Sequence, residues 1–461
     1  MSQLVPSRVG ATAKQIARAV RRGDDSATRV VADHLDHIAV ADRVVSAFRT
    51  VRAAAAAAEA EKVDQQPDLG NLPLAGVPVA VKENTAVAGL ANVNGSRAAT
   101  TAVAEADHEV VRRLRGAGAV IVGTTRMPEL GLWAVTDADD AAARNPWRTD
   151  RTPGGSSGGA AAAVASGMVP LAHGNDGLGS IRIPAACCGV VGVKPGSGVV
   201  PGEDPGLWFG LVEHGVLATT VADAALGLDV LSGAAPRPLQ PPDRLRIAVS
   251  LRSPVPGVWP DGPTRAALAD AARALVGAGH DAAVADPPYA AALRAGSLWF
   301  AAANRSAAAL GVPRSRLQAR SRHHAAAGAV LERLGLVREA DQQHWRRRSL
   351  DFFGDRFDAL LTPVLSRGPV AAAGWAGRSW LANLRASSRF APYAAPWNVA
   401  GLPAVSVPVG VRPDGLPGAV QLVGPPGSER TLLALAGQLE LVRPWARHAP
   451  TFPRPAAVRA A

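Results

Sequence analysis

The chain has 461 residues, which is enough to bury a large core in one big domain or two ordinary ones. Its hydrophobic share of 48% excludes a disordered chain, and its apolar runs are shorter than the ~20 residues of a membrane span. The net charge of +11 comes almost wholly from scattered arginines, densest at Arg346–Arg348, so neither a nucleic-acid nor a membrane partner is expected.

The first residues lack the apolar stretch of a secretory signal. The two cysteines, Cys187 and Cys188, are adjacent and cannot cross-link distant segments, and no Cys or His spacing indicates a metal site. We therefore expect a cytoplasmic protein that carries neither a metal nor a cofactor.

Residues from about 12 to 62 are predicted to be helical, because Ala, Val and Leu recur every three or four positions between charged residues. Beyond residue 77, short apolar runs alternate with amphipathic stretches. The predicted strands are Val77–Val81, Ala119–Val122, Val190–Val193, Leu245–Val249, Leu360–Leu361, Val405–Val411 and Val420–Val423. The predicted helices are Glu109–Gly116, Ala160–Ser166, residues 263–278 and most of residues 290–350. This alternation predicts an α/β fold in which helices cover both faces of a sheet.

Two Gly/Ser loops flank an Ala-rich helix between Arg151 and Pro184. Glycines let the backbone approach a ligand, and serines beside free N–H groups supply the nucleophile and the oxyanion donors of acyl transfer. A flexible linker would not have flanks rich in Val, Ile and Ala, and the phosphate-loop pattern GxxxxGK[ST] is absent. Gly154–Gly158 also matches the GxSxG nucleophile elbow, but loop-like residues precede it where that elbow requires a strand.

Four segments carry a resemblance to a known family: LAGVPVAVKEN (74–84), GGSSGG (154–159), GSIRIP (179–184) and CGVVGVKP (188–195). Shorter matches are MPE (127–129), NPW (145–147), NVAGLPA (398–404) and GLPGAVQLVG (415–424). Because these motifs occur in one order over nearly the whole chain, the sequence resembles the amidase signature family. The resemblance implies an α/β fold with a large, twisted, mixed β-sheet core covered by helices on both faces.

The resemblance further implies a Ser–Ser–Lys catalytic triad: Lys82 is the base, Ser156 the bridging serine after a cis peptide bond from Gly155, and Ser180 the nucleophile. The implied oxyanion donors are the backbone N–H groups of Gly177, Leu178, Gly179 and Ser180. A serine hydroxyl is a weak nucleophile until a base takes its proton, and lysine is a base only where burial keeps it neutral. The apolar run before Lys82 predicts that it ends a buried strand; the alternative is an ordinary surface lysine.

The implied function is hydrolysis of a linear carboxylic amide to carboxylate and ammonia or amine. Two alternatives remain open. One is the glutamine-hydrolysing A subunit of a tRNA-dependent amidotransferase, which typically has Gln after Ser-Ile-Arg, where this chain has Ile183. The other is a catalytically silent binding protein that keeps the fold, for which the unusual Leu178 is the one supporting feature. The expected partners are a small-molecule amide and, as is common for such folds, a second copy of the chain.

Residues around the triad are expected to support it. Asp176 and Arg182 are predicted to pair and fix the nucleophile loop, and Ser157 to serve hydrogen bonding within its own loop. Lys194 is interpreted as structural, and His173 as a satisfied, non-catalytic histidine.

Three departures from the family pattern bear on substrate range. Leu178 stands where a glycine is usual; because positive φ is costly for leucine, Gly177 is expected to take the unusual dihedral and Leu178 to narrow the acyl pocket. Residues 136–144 lack the usual aromatic residue and glycine, and Asn175 replaces a common threonine. Four tryptophans are candidates for lining an apolar acyl pocket: Trp133, Trp375, Trp380 and Trp397.

No internal repeat or linker interrupts the chain, which predicts a single domain over residues 1–461. Its expected parts are N-terminal helices (about 1–65), a catalytic core with the signature loops (about 66–240), a variable helical cap (about 250–350) and the C-terminal part of the core (about 351–461).

Overall fold

A computed structural model of the chain describes residues 7–99, 102–138, 140–202, 205–311, 313–450 and 452. Within these ranges the strands form one eleven-stranded mixed sheet. The strands are β1 Phe48–Val51, β2 Pro78–Lys82, β3 Val120–Thr125, β4 Leu171–Asp176, β5 Val191–Lys194, β6 Glu213–Ala218, β7 Arg246–Val249, β8 Asp281–Val284, β9 Ala359–Pro363, β10 Ala404–Val411 and β11 Pro417–Val423. Their order across the sheet is β1-β3-β2-β4-β6-β5-β10-β11-β9-β7-β8.

Sixteen α-helices lie among the described residues outside the strands, and several begin at a residue that caps the first turn. Thr12 and Gln15, for example, form a reciprocal capping box at the start of the first helix. The helices are α1 Ala13–Arg22, α2 Ala27–Val45, α3 Ala53–Asp64, α4 Glu109–Gly116, α5 Gly158–Ala165, α6 Arg182–Cys188, α7 Pro205–Trp208, α8 Val221–Ser232, α9 Gly262–Gly277, α10 Ala290–Arg294, α11 Ser297–Ala309, α12 Ala319–Arg333, α13 Glu339–Phe353, α14 Trp380–Phe390, α15 Ala395–Val399 and α16 Glu429–Val442.

Six of the inner strands of the sheet are buried along their whole length. Every residue of β2, β3, β4, β5, β6 and β9 is buried. A strand whose side chains alternate between two faces is fully buried only where both faces are covered. The predicted α/β fold, with helices on both faces of a mixed sheet, is confirmed.

Four strands do not appear in the predicted set, and each depends on distant partners. The stretch predicted as wholly helical contains β1, which pairs with β3. Strands β4 and β6 carry Gly, Asn, Asp, Glu and His, which have low or neutral strand propensity, and they pair with each other. Strand β8 pairs with β7, and α9 packs on β9 and β11, so residues 262–284 belong to the sheet layers and not to a helical cap. Residues 290–350 are mostly helical, as predicted.

The sheet brings the signature segments to one edge. Strand β2 lies between β3 and β4 and runs parallel to both, so the carboxyl ends of these strands point the same way. Lys82 ends β2 and Asp176 ends β4. Ser156 lies two residues before α5, and Ser180 two residues before α6. Residues that are far apart in sequence therefore meet beyond one end of the parallel strands, where open α/β sheets commonly bind ligands.

Candidate active site

Lys82 is the last residue of β2, and its side chain is fully buried. Its Nζ donates hydrogen bonds to Ser156 Oγ at 2.7 Å, to Asn175 Oδ1 at 2.6 Å and to the Asn175 carbonyl at 3.3 Å. Asn175 in turn donates to Asn84 Oδ1 at 3.0 Å. The neighbouring strand β4 thus holds the amine against one serine hydroxyl, and the alternative of a surface lysine is excluded.

The two Gly/Ser loops are joined to each other and face a common cavity. The Gly155–Ser156 peptide bond is cis, as the resemblance implied. The Ser157 N–H donates to the Ser180 carbonyl at 3.0 Å, and Ser157 Oγ donates to the Asn175 carbonyl at 3.2 Å, which is the loop hydrogen bonding expected of Ser157. Ser156 is buried and Ser180 is partly exposed, and both line one cavity.

Asp176 and Arg182 pair in the turn between β4 and α6, as predicted. The Arg182 Nε and Nη2 groups each donate to an Asp176 carboxylate oxygen at 2.9 Å, and both side chains are fully buried. The other guanidinium N–H groups donate to Ala394, Gln421 and Asn398, so all five donors of Arg182 are used. Burial alone would raise the pKa of Asp176, but the charge and hydrogen bonds of Arg182 outweigh it and hold that pKa well below its usual range.

Gly179, and not Gly177, takes the left-handed conformation in this turn, with a φ of 117°. A Cβ added to Gly179 would lie 2.6 Å from Ala394 Cβ and 2.8 Å from Ile183 Cδ1. The expectation that Gly177 takes the unusual dihedral is therefore wrong. The requirement for glycine comes from side chains packed on the turn, one of which is more than 200 residues away in the chain.

The backbone N–H of Gly179 is already committed inside the protein. It donates to Asp176 Oδ1 at 2.6 Å, so the prediction that this group binds an oxyanion is wrong for the turn as observed. None of the described residues accepts a hydrogen bond from the N–H groups of Gly177, Leu178 or Ser180. These three donors remain for a ligand.

Two other buried titratable groups lie near the turn. Lys194 Nζ donates to the Pro195 carbonyl at 2.6 Å, and burial, followed by the charge of Arg182, lowers its pKa to about 8. His173 Nε2 lies 2.8 Å from His214 Nδ1, and burial holds the pKa of His173 well below its ordinary value. Neither Lys194 nor His173 is among the described residues that line the cavities at Ser180, which agrees with the non-catalytic roles expected of them.

A cavity of about 230 Å³, called the inner cavity below, opens on one side of Ser180. None of the described residues that line it is charged; Ser387 and Ser388 are its other hydroxyl groups. Leu178 forms part of the wall, as expected of a residue that narrows the pocket. The main apolar wall consists of Leu132, Trp133, Leu178, Ile183, Trp208, Val255, Leu293, Trp299, Pro392, Pro396 and Val399.

A second, more polar cavity of about 160 Å³ also reaches Ser180. It shares Gly131, Ser180 and Trp208 with the inner cavity, and it alone contains Ser156. Its described polar lining consists of Asn84, Asn94, Ser156, Asn175, Ser180 and Ser306. The nucleophile candidate therefore stands between an apolar space and a polar space.

The tryptophan prediction holds for only one of its four residues. Trp133 lines the inner cavity, where it is joined by Trp208 and Trp299. Trp375 and Trp380 donate their indole N–H groups to Ala371 and His324, and Trp397 packs in a core cluster with Tyr289 and Trp345. The local sequence does not distinguish a tryptophan at a cavity wall from one in the core, so it could not separate Trp133 from the other three.

The sequence interpretation missed the role of two asparagines. Asn175 is more than a replacement for a common threonine, because it supplies two of the acceptors for Lys82. Asn84 follows Lys82 by two residues inside the same motif, and that proximity was the available signal. Both asparagines are neutral, so they orient the amine without adding a charge.

The altered segment 136–144 is hydrogen-bonded to the first Gly/Ser loop. Thr136 Oγ1 donates to the Gly154 carbonyl at 2.8 Å, and the Asp137 carboxylate accepts from the Trp375 N–H at 2.6 Å. Residue 139 of this segment lies outside the described ranges. The segment thus links the loop to a distant part of the chain and does not itself line the inner cavity in its described part.

The described ranges contain neither a helix suited to cross a membrane nor a cluster of metal-binding side chains. No helix there combines the length and the hydropathy needed to cross a bilayer. The described His, Cys, Asp and Glu side chains form no group of three or more that could hold a metal ion.

Comparison with known proteins relates most of the chain to one family. The model of the amidase family matches residues 29–433. Putative amidase AmiB2 of Mycobacterium tuberculosis is 41% identical over 451 residues, covering 94% of this chain and 96% of the relative. A putative amidase of Synechocystis is 32% identical, covering 93% of this chain and 88% of the relative.

Solved structures agree with this relationship. The structure of 6-aminohexanoate cyclic dimer hydrolase complexed with substrate is 29% identical, with a TM-score of 0.87, and covers 96% of this chain and 100% of that chain. A bacterial aryl acylamidase of the amidase signature family is 27% identical, with a TM-score of 0.83, and covers 96% of this chain and 99% of that chain.

Proposed function

Because the chain belongs to the amidase signature family, we propose that it hydrolyses a carboxylic amide through an acyl-enzyme on Ser180. One observation carries the proposal. The buried Lys82 Nζ lies 2.7 Å from Ser156 Oγ, and Ser156 shares a cavity with the more exposed Ser180. A buried base, a bridging hydroxyl and a reachable hydroxyl are the parts that general-base activation of a serine requires.

The reaction begins with proton transfer along this chain of groups. For this step Lys82 is neutral: its two N–H groups are directed to the Asn175 oxygens, and its lone pair faces Ser156 Oγ in place of the third N–H of the charged amine. The lone pair takes the Ser156 proton as Ser156 takes the proton of Ser180, and Ser180 Oγ attacks the amide carbonyl carbon. The N–H groups of Gly177, Leu178 and Ser180 stabilise the oxyanion. The carbon–nitrogen bond breaks as Ser156 returns a proton to the leaving nitrogen. Water, activated by the same relay, then releases the carboxylate and restores Ser180.

The geometry of proton return suggests which cavity holds each half of the substrate. The leaving amine must receive its proton from Ser156, and Ser156 lines only the polar cavity. The amine therefore belongs in the polar cavity, and the acyl group belongs in the inner cavity. Since the described lining of the inner cavity carries no charge, an apolar, uncharged acyl group fits best.

The two alternative functions gain no support. With its side-chain amide at Ser180, glutamine would place its charged α-ammonium and α-carboxylate groups in the inner cavity, whose described lining offers no charged partner for them. The case for a silent protein depended on strain at Leu178, but Gly179 takes the left-handed conformation instead. Relatives at 41% and 32% identity are named putative amidases.

The test compares amide hydrolysis by the wild type with that of the Ser180→Ala, Ser156→Ala and Lys82→Met variants. Loss of any of the three groups removes activation of the nucleophile, so we expect kcat/KM to fall by roughly 10³-fold or more. Release of ammonia or amine from a panel of aliphatic and aryl amides gives the rates. The matched control is Lys62→Met, which removes an exposed lysine and should keep wild-type rates. Wild-type turnover by folded Ser180→Ala would overturn the proposal.

A further inference from the structure

A third cavity, called the outer cavity below, opens at the protein surface with a volume of about 740 Å³. It lies between the segment after β7, helix α9 and helix α10. Its wall combines apolar side chains with a charged rim of Arg252, Arg265 and Asp286. The apolar part consists of Val249, Leu251, Val255, Val258, Trp259, Leu268, Val284 and Leu293.

Several of these apolar side chains are left in water. Trp259 is 71% exposed and Val284 is 90% exposed, and Leu293 is 49% exposed. Single exposed apolar residues are ordinary, but a contiguous apolar concavity commonly marks a binding surface. Water in such a cavity is displaced favourably by an apolar group.

The outer cavity adjoins the inner cavity, and the residues common to both linings form a partition between them. Pro254, Val255 and Leu293 line both spaces. One side of the partition is a loop and the other is the short helix α10. The half-exposed Leu293 is the side chain of the partition whose change of rotamer would join the two cavities.

We propose that the outer cavity is a second acyl subsite, which binds the distal end of a long, unbranched, uncharged acyl chain whose amide lies at Ser180. This inference rests on the proposed function, because it assumes that the acyl group occupies the inner cavity. The inner cavity of about 230 Å³ holds a short acyl group by itself, and the larger outer cavity extends the apolar path towards the surface. The substrate class is then the amides of long-chain aliphatic acids.

The length dependence follows from the transfer of methylene groups out of water. Each methylene that is buried raises kcat/KM about fourfold if the interaction is made in the transition state. If only the inner cavity bound the acyl chain, kcat/KM would stop rising once a short acyl chain filled it. With both cavities, kcat/KM continues to rise for chains that cross the partition.

The experiment measures kcat/KM for butanamide, octanamide and dodecanamide with the wild type and two tryptophan variants. Ala269→Trp places an indole at an exposed position of α9 that lines only the outer cavity. Ala266→Trp, the matched control, changes an exposed residue of the same helix that is not among the described lining residues. We expect the dodecanamide-to-butanamide ratio to fall about tenfold or more in Ala269→Trp and to stay at the wild-type value in Ala266→Trp.

The outcomes separate this inference from the proposed function. Hydrolysis of butanamide with no gain for longer chains, or an unchanged ratio in Ala269→Trp, overturns the second subsite and leaves the amidase intact. No hydrolysis of any amide, together with an unreactive Ser180, overturns both. If Ala269→Trp dissociates a wild-type dimer without changing the ratio, a second copy of the chain covers the cavity and the inference is wrong.

Discussion

Gly179 shows how a single residue fixes the geometry at the nucleophile. Its φ of 117° turns the chain between β4 and α6, and its N–H is held by Asp176. The space for a side chain is already filled by Ala394 and Ile183. The residue after it, Ser180, therefore has its backbone direction set by contacts that a larger side chain would break.

Replacing this glycine should damage both stability and catalysis. In Gly179→Ala, the unfavourable φ costs about 1–2 kcal/mol, and the overlap with Ala394 adds about 1–3 kcal/mol. We expect the free energy of unfolding to fall by about 2–5 kcal/mol and kcat to fall at least tenfold, measured by denaturant unfolding and by amide hydrolysis.

The matched control is Gly198→Ala, since Gly198 also has positive φ, at 80°, but a Cβ there meets nothing within 4 Å. It should lose only the conformational part of the stability and keep wild-type kcat. Equal effects of the two variants would show that the packing around Gly179 does not matter.

At the scale of single residues, the sequence motifs predicted the identity of the triad candidates but not the hydrogen-bonding details around them. Lys82 and Ser156 were predicted to meet, and they do. The donor role assigned to Gly179 was wrong, because a motif does not reveal that Asp176 accepts its N–H. The motif places Asn84 near Lys82, but its hydrogen bond from Asn175 depends on the pairing of β2 with β4, which the motif does not encode.

At the scale of secondary-structure elements, the turn between β4 and α6 is held by the buried Asp176–Arg182 pair. Asp176 also accepts hydrogen bonds from the N–H groups of Gly179 and Ile181. The guanidinium extends the network to the Ala394 carbonyl, which lies immediately before α15. Removing the charge of one partner leaves the other buried and unpaired, which is the expensive way to break such a pair.

The Asp176→Asn variant should therefore be destabilised by about 3–5 kcal/mol at neutral pH, as measured by denaturant unfolding. The carboxyl pKa of Asp176 is lower in the folded protein than in the unfolded chain, so its contribution is fully present above the unfolded value of about 3.9. The difference in free energy of unfolding between the wild type and Asp176→Asn should stay constant from neutral pH down to about 4. It should become smaller only at more acidic pH.

A surface ion pair provides the comparison. Asp150 pairs with Arg148 and Arg151, but its side chain is 58% exposed. We expect Asp150→Asn to change the free energy of unfolding by less than about 1 kcal/mol. The turn would not depend on the ionised pair if Asp176→Asn lowered the free energy of unfolding by as little as Asp150→Asn does. The same conclusion would follow if the difference between wild type and Asp176→Asn became smaller already between pH 7 and about 5.

Elements with strong local patterns were predicted to within a few residues, and those without were missed. The apolar runs that became β2, β3, β10 and β11 stand out against their surroundings. Strand β4 does not, because Gly174, Asn175 and Asp176 are chosen for the site and not for strand propensity. Strand β8 lies at the edge of the sheet with all of its residues exposed, so its sequence shows no alternation of buried and exposed positions.

At the scale of the whole molecule, one hydrophobic core extends from α1 to α16. The main cluster of buried apolar side chains includes Ala13 near one end of the described chain and Leu439 near the other. Asp223 in α8 accepts hydrogen bonds from the first N–H groups of α1, so the N-terminal helix is tied to the middle of the chain. We propose on these grounds that the chain folds as a single domain.

The fold class could be predicted from the sequence, because alternating apolar and amphipathic stretches specify layers of helix and strand. The order of the strands could not be predicted, because long stretches of sequence separate β2 from its partners β3 and β4. The cavities were also beyond reach. The inner cavity draws its walls from segments as far apart as Gly131 and Val399.

The most direct test of the Lys82–Ser156–Ser180 arrangement is the covalent reaction of the enzyme with a fluorophosphonate, followed by intact-mass and peptide mass spectrometry. We expect the wild type to gain one phosphonyl group on Ser180, with loss of HF, and Ser180→Ala to gain none. We expect Lys82→Met to react at least about 10³-fold more slowly. Labelling of the wild type at a residue other than Ser180, or reaction of Lys82→Met at the wild-type rate, would contradict activation of Ser180 by the buried lysine.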